Sequence, residues 1–213
     1  MKIRVVVSMV IFMTGQQFFT QLFSAESIEL YNKNRDYDFI SNLVKRYPAW
    51  FPEAYLLEDL DSPITTINWP DKDGGAPWVN TYEQKIFTYI KDSKPVGFIR
   101  MFNLISPSEA DEKYAPKIAG AHDAVTSNIT TLQQIAIAPE YQRQGIGKKL
   151  LAHVISETKK SNKRYIILNT MSDHTISRIF FEKLGFTKTY DVKSEDSVWG
   201  DYCWYALHID QTK

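Results

Sequence analysis

Apolar and polar positions in this chain follow two periods, and the switches between them mark its elements. Ile129 to Ala138 is rich in β-branched residues and reads as a strand. Ile146, Leu150, Leu151, Val154 and Ile155 then recur at helical spacing, with Lys148, Lys149, His153 and Lys159 mostly off that stripe, which predicts an amphipathic helix. The same reading gives a short strand at Ile28 to Tyr31. A helix follows from Asp36 to Arg46, stopped by Pro48 and Pro52, and a second short helix covers Glu53 to Leu60. Ser62 to Val79, with three prolines and the Gly74-Gly75 pair, predicts a long loop. Ile86 to Lys91 and Val96 to Leu104 form a hairpin about the turn-forming Asp92-Ser-Lys-Pro95.

Ser106 to Asn128 is polar and reads as a functional loop or insertion. After the amphipathic helix come a strand at Arg164 to Thr170, a helix at Ser172 to Leu184 capped by Gly185, and strands at Thr187 to Val192 and Val198 to Ile209. The class is α+β, and 213 residues suffice for one well-buried domain.

Charge changes this picture little. Lys+Arg and Asp+Glu both count 25, so no overall field favours nucleic acid. Cys203 is the only cysteine and the four histidines are scattered, which removes an intramolecular disulfide framework and a CxxC metal site and leads us to expect no metal.

The first 25 residues stand apart. Lys2 and Arg4 precede an apolar run from Val5 to Met13, and Leu22-Phe-Ser-Ala25 has the look of a cleavage site, so residues 1–25 resemble a secretory signal. The run is shorter than the ~20 residues a membrane helix needs, so no mature membrane anchor is expected. Two readings stay open: a cytoplasmic protein with an extra N-terminal segment, and export through this signal-like stretch.

The richest chemistry lies where strand meets helix, at Ile135-Ala-Ile-Ala-Pro-Glu-Tyr-Gln-Arg-Gln-Gly-Ile-Gly-Lys-Lys-Leu-Leu151. The first N–H groups of a helix have no partner and carry partial positive charge, so this helix start is an anion site. Gly145 and Gly147 let a bulky anion approach the backbone, while Gln142, Arg143, Lys148 and Lys149 offer donors and charge. A Walker A loop would need a glycine at Gln142 and a hydroxyl at Lys149; a Rossmann fingerprint beginning at Gly145 would need a small residue at Leu150. Neither spacing is met.

Gln142-Arg143-Gln144-Gly145-Ile146-Gly147 does resemble the Gln/Arg-x-x-Gly-x-Gly/Ala signature of the GNAT superfamily of acetyl-CoA-dependent N-acetyltransferases. Leu132 to Ile137 resembles that family's fourth strand, and Phe181-Glu-Lys-Leu-Gly-Phe186 its Tyr-Glu-Lys-Leu-Gly-Phe element. The resemblance covers about residues 28 to 209 and is most specific from 131 to 188. It implies a mixed, mostly antiparallel central sheet flanked by helices over residues 26–213, acetyl-CoA as co-substrate, and direct transfer of acetyl to a primary amine within a ternary complex. The acceptor would be a small molecule or a peptide, and the protein a monomer or homodimer.

Carried over by position, the backbone of Ile135, Ala136 and Ile137 would hold the acetyl carbonyl and pantetheine amides. Gln142, Arg143, Gln144, Gly145, Ile146, Gly147 and Lys148 would hold the pyrophosphate, and His174 stands where the family places a pantetheine-contacting asparagine. In similar proteins the segments bearing Trp50, Phe51, Tyr55, Trp69 and Trp78 border the acceptor pocket.

Two departures concern proton transfer. Gln133 replaces the glutamate that many members carry two residues before the backbone triplet, and Phe181 replaces the tyrosine acid. Neutralising a lysine-like amine at pH 7 costs about 4 to 5 kcal/mol, so a base has work to do. His122, with Asp123 beside it, is the candidate base; Tyr202, with Tyr205 beyond it, is the candidate acid. The same two departures also fit a non-catalytic coenzyme A-binding or sensor module.

Overall fold

The computed structural model describes residues 25–46, 60–69, 78–107, 109–193 and 200–210. β1 (Glu26–Leu30) leads into α1 (Lys33–Lys45), whose Asn32 cap accepts a hydrogen bond from the Asn34 N–H. Buried Asp36 reaches back to the Asn32 N–H at 2.8 Å and also accepts from Thr88 Oγ1. β2 (Ile64–Trp69), β3 (Trp78–Lys91) and β4 (Lys94–Leu104) follow, then α2 (Glu109–Ala119) and β5 (Ile129–Ile137). The remainder is α3 (Ile146–Lys160), β6 (Tyr165–Met171), α4 (Thr175–Lys183), β7 (Thr187–Val192) and β8 (Tyr202–His208).

All eight strands among the described residues belong to one sheet, in the order β1-β3-β4-β5-β6-β8-β7, with β2 also on β3. β1 pairs with residues 87–91 of β3 and β2 with residues 78–83, so the two share its outer edge end to end. Every pairing is antiparallel except β5 with β6. The α+β class and the mostly antiparallel sheet therefore stand.

Two expectations change. Ile64–Trp69 is a strand, not part of a long loop: its β-branched Ile-Thr-Thr-Ile run pairs with β3, and the prolines fall outside it. Glu109–Ala119 is a helix, with Pro116 inside it, rather than an irregular insertion. Its apolar face is short and made of small residues, Ala115 and Ala119, which pack against Tyr165, Ile167 and Ala206. The helix expected at Glu53 to Leu60 falls almost wholly outside the described residues.

The hairpin turn needs only two residues. Asp92 and Ser93 both take positive φ, 51° and 65°, between the closing pair Lys91 and Lys94, the geometry that matches strand twist. Gly185 closes α4 as expected, with Phe186 N–H on Phe181 O and Gly185 N–H on Glu182 O, both at 3.1 Å.

The main core lies between the sheet and α3 with α4, around Ile99, Met101, Leu132, Leu150, Val154, Ile166 and Phe181. A second core under α1 joins Ile40, Val44, Ile86 and Phe98, with Ala136 packed on it. No helix among the described residues is long and apolar enough to cross a membrane.

Candidate functional site

β5 and β6 run side by side for only three residue pairs, Ile129–Tyr165, Thr130–Ile166 and Thr131–Ile167. Beyond them β6 stays with β8 and β5 stays with β4, as far as Ile137 opposite Gly97. The sheet therefore splits beside Leu132 to Ile137, leaving one edge of β5 without a strand partner among the described residues. Backbone N–H and C=O groups on such an edge seek a partner. Ile135, Ala136 and Ile137 lie on this edge, where an extended amide-bearing chain can pair by strand-like hydrogen bonds.

The edge runs directly into the loop that starts α3. Ala138 is buried, Pro139–Tyr141 make one tight 3₁₀ turn, and the chain then swings through Arg143 at φ 60° and Gly145 at φ 79°. Gly145 is the N-cap residue of α3, so the cap position bears no side chain; a Cβ there would meet nothing within 4 Å. Gly145 is thus required by its backbone angle, and the space over it is open. The Gly145 carbonyl accepts the Lys149 N–H at 3.1 Å, and the N–H groups ahead of it are the ones a helix leaves free.

The side chains of the loop divide into those that build it and those that face outward. Gln142 Nε2 donates to Ile137 O, and Gln144 Nε2 donates to Glu140 O, both at 3.1 Å. These glutamines close the loop on itself. Arg143 and Lys148 are exposed and join none of the ion pairs among the described residues. Ile146 is buried in the core and fixes the helix start.

Lys149 does not join them. Its Nζ lies 2.6 Å from Glu26 Oε2 and 2.8 Å from Tyr89 OH, so it ties α3 to β1 and β3. The Lys149 hydrogen bond is the main cause holding the Glu26 carboxyl below its ordinary range, and the Glu26 hydrogen bond raises Lys149 in turn. Lys91 completes this support, donating to Gln144 Oε1 at 3.1 Å. Glu26, Tyr89 and Lys91 carry no local signature in the sequence; only the pairing of β1 with β3 brings them to the loop.

α4 borders the split from the other side. Its N-cap residue, His174, has its Nδ1 2.8 Å from Ser177 Oγ, and burial lowers the imidazole's basicity. A Cβ on Gly147 would lie 3.2 Å from Phe180 Cζ, so this glycine is needed for close approach of α3 and α4. Residues far apart in sequence, 135–148 and 174–180, thus come together beside the split.

The expected proton-transfer groups are arranged less simply. Phe181 is buried between Phe180 and Phe186 in the main core. Asp123 accepts from Tyr165 OH and from Arg164, and Tyr165 pairs with Ile129 at the start of β5. Exposed His122 adjoins it at the end of β5 that begins with Ile129, which lies six strand positions and roughly 20 Å before Ile135 by the strand rise. The structure does not bring His122 to the loop. Half-buried Tyr202 pairs with Met171 at the end of β6, and burial raises its phenol pKa. Tyr205 is fully buried; its hydroxyl donates to Glu182 at 2.7 Å and accepts from Arg178, and desolvation with the Glu182 bond pushes it up to about 12. Trp50, Phe51 and Tyr55 lie outside the described residues, while Trp69 and Trp78, the last residue of β2 and the first of β3, are backbone register partners.

The comparisons agree with this geometry. The family model described as Acetyltransferase (GNAT) family matches residues 46–186. The ribosomal protein bS18-alanine N-acetyltransferase of Escherichia coli (strain K12) is 38% identical over 58 residues, which are 27% of this chain and 39% of that relative. The match thus spans about two fifths of the relative's length. Among solved structures, the ribosomal-protein-S18-alanine N-acetyltransferase from Escherichia coli superposes with a TM-score of 0.56 at 18% identity, covering 89% of this chain and 97% of that one. A GNAT family acetyltransferase from Elizabethkingia anophelis with acetyl-CoA bound gives a TM-score of 0.55 at 14% identity, over 86% and 97% of the two chains. At such identities these structures speak for the fold.

Proposed function

This chain belongs to the GNAT acetyltransferase family, and on that premise we propose that it is an N-acetyltransferase using acetyl-CoA directly on a bound primary amine. One observation carries the reading: the edge of β5 that has no strand partner among the described residues leads through one short loop into a side-chain-free helix cap, so an amide-bearing arm and its pyrophosphate can be held in succession. Gly145 leaves room for that phosphate, and exposed Arg143 and Lys148 supply charge beside it. Bound acetyl-CoA supplies the activated thioester.

The protein's part is to bind, orient and polarise. A β5 backbone N–H at Ile135 to Ile137 aimed at the thioester oxygen stabilises the charge that grows there during transfer. In the reaction the acceptor nitrogen bonds to the carbonyl carbon as the carbon–sulfur bond breaks; the nitrogen gives up one proton and the departing thiolate takes one up. Gln133 cannot accept that proton and Phe181 cannot donate one, so neither exchange relies on them. A thiol with pKa near ~8.5 leaves with little assistance. The cytoplasm, where acetyl-CoA is made, suits this activity.

A second reading, a coenzyme A-binding module without turnover, is favoured by the burial of Phe181 where the resemblance expects the acid. Incubating the full chain with acetyl-CoA and a panel of primary amines, while following free thiol and acetylated product, separates the two. We expect equal amounts of thiol and N-acetyl product. Tight coenzyme A binding without thiol release leaves only the second reading, and no coenzyme A binding sinks both.

A further inference from the structure

We propose that Gly97 is a positioning residue for coenzyme A: acting through Ile137 and Ile146, it sets the spacing between the edge of β5 at the split and the phosphate loop. This rests on the N-acetyltransferase reading above. Glycine weakens a strand interior and commonly marks a close approach by another part of the molecule. Gly97 stands in the stretch of β4 from Val96 to Asn103, every residue of which is buried. A Cβ on it would lie 2.7 Å from Ile137 Cδ1, 3.2 Å from Ala136 O and 3.5 Å from Ile146 Cγ2. Non-bonded carbons rest about 3.5–4.0 Å apart, so the last distance is ordinary contact and the first is overlap. Ile137 fills the place that a side chain on β4 would take.

A bulge brings Ile137 there. The register between β4 and β5 steps from Arg100–Gln134 to Met101–Leu132, which leaves Gln133 as the extra residue. Simple alternation would put Leu132 and Ile135 on opposite faces of the sheet. With the bulge between them, Leu132, Ile135 and Ile137 all pack on the main core, while Ala136 packs under α1. Ile137 then stands opposite Gly97 at the last pair of the β4–β5 ladder.

Three connections meet over Gly97. Ile137 O accepts from Gln142 Nε2 at 3.1 Å, which closes the phosphate loop, and Ala138 N–H donates to Val96 O at 2.9 Å, which holds the strand end to β4. Ile146, the first residue of α3, is buried in the same core. Ile135 reaches the helix start as well, its Cδ1 3.9 Å from where a Gly147 Cβ would be. The isoleucines on either side of Ala136 therefore have two duties. Their backbone lies on the edge suited to an amide-bearing arm, and their side chains seat the first turn of α3. A methyl at position 97 makes Ile137 turn or shift within a close-packed core, and the displacement passes to Ile146. Each end of the site keeps its own groups while their separation changes. A ligand made of two linked halves gains most when its linker matches that separation.

Titrating the full chain with coenzyme A, with ADP and with pantetheine reads the whole ligand and its two halves. In Gly97→Ala we expect the coenzyme A Kd to rise at least about fivefold, with the ADP and pantetheine Kd values within about twofold of wild type. Adding Ile137→Val, which removes the Cδ1 atom at 2.7 Å, should return coenzyme A to within about twofold of wild type. If Gly97→Ala does not fold, Ile137→Leu disturbs the same joint at constant volume and should show the same split between whole and halves. Wild-type coenzyme A affinity in the folded single variant, an equal loss for ADP and coenzyme A, or no recovery in a folded double variant overturns the proposal. If the wild type binds none of the three ligands, the N-acetyltransferase reading itself has failed.

Discussion

A carbon added at Gly147 would stand 3.2 Å from the Cζ atom of Phe180, so the start of α3 lies directly against that ring of α4. That contact fixes the distance between the free N–H groups of α3 and the turn bearing His174. Gly147→Asp must displace the ring and also sets a negative charge beside the phosphate site. Coenzyme A affinity should fall at least about 100-fold, which is ~2.7 kcal/mol. Isothermal titration of a variant with native circular dichroism checks it, and unchanged affinity would mean the loop is not the phosphate site.

Gly145 answers a different demand. With φ 79° and open space around it, Gly145→Ala meets no clash and only the backbone objects, at roughly 1 kcal/mol. We expect Tm to drop by a few degrees and coenzyme A affinity to weaken less than in Gly147→Asp. Relief of Gly147→Ala, but not of Gly145→Ala, by a companion Phe180→Leu would distinguish crowding from strain; equal relief of both would refute that division.

How much of this was legible in the chain follows from range. The anion loop declared itself because its glycines, its helix stripe and its preceding strand are contiguous. The hairpin was equally local. β2 was lost among prolines, and α2 because Ala115 and Ala119 make a weak apolar signal around Pro116. The bulge at Gln133 is a property of pairing with β4, and the Glu26–Lys149 tie spans 123 residues; neither leaves a mark in a local window.

That tie yields a prediction with a definite sign. The carboxyl of Glu26 is held below its unfolded pKa, chiefly by Lys149, so its contribution is present above about 4.3 and fades as pH falls through the folded value. Lys149 is raised, so its share persists until pH climbs past the ordinary lysine range. Both side chains are substantially exposed, which limits the pair to under about 1 kcal/mol. Glu26→Gln should lower Tm slightly and evenly from pH 6 to 8, with the difference shrinking below pH 4 and in high salt. A deficit that grows as pH falls would contradict the pairing.

Phe181 bears on how much help the leaving thiolate requires. The ring is packed edge-on against Phe180 and Phe186 in the main core. In Phe181→Tyr the new hydroxyl must find a partner at the margin of that core or stay unsatisfied, at roughly 1–3 kcal/mol of stability. A thiol near ~8.5 is a good leaving group, so restoring a phenol should raise kcat by less than about tenfold, below the usual range for general acids. A gain of 100-fold or more would show that protonation of sulfur limits turnover in the wild type.

The acceptor proton gives the last and most discriminating experiment. With Gln133 and Gln134 beside the triplet, no carboxylate on this part of β5 titrates between pH 6 and 9, so the acceptor's own ionisation should govern kcat/KM. Only neutral amine attacks; the profile should therefore rise about tenfold per pH unit while the amine is mostly charged, then level near the acceptor's own pKa. For an α-amine that bend falls at about 8, and for a lysine-like amine above 10. Gln133→Glu places a base on the bulge, which should lift kcat/KM below pH 7 and flatten the slope without moving the KM for acetyl-CoA. A wild-type profile already flat from pH 6 to 8 requires a protein base, and the half-buried His174, whose imidazole burial keeps neutral to lower pH, would then be the first residue to replace.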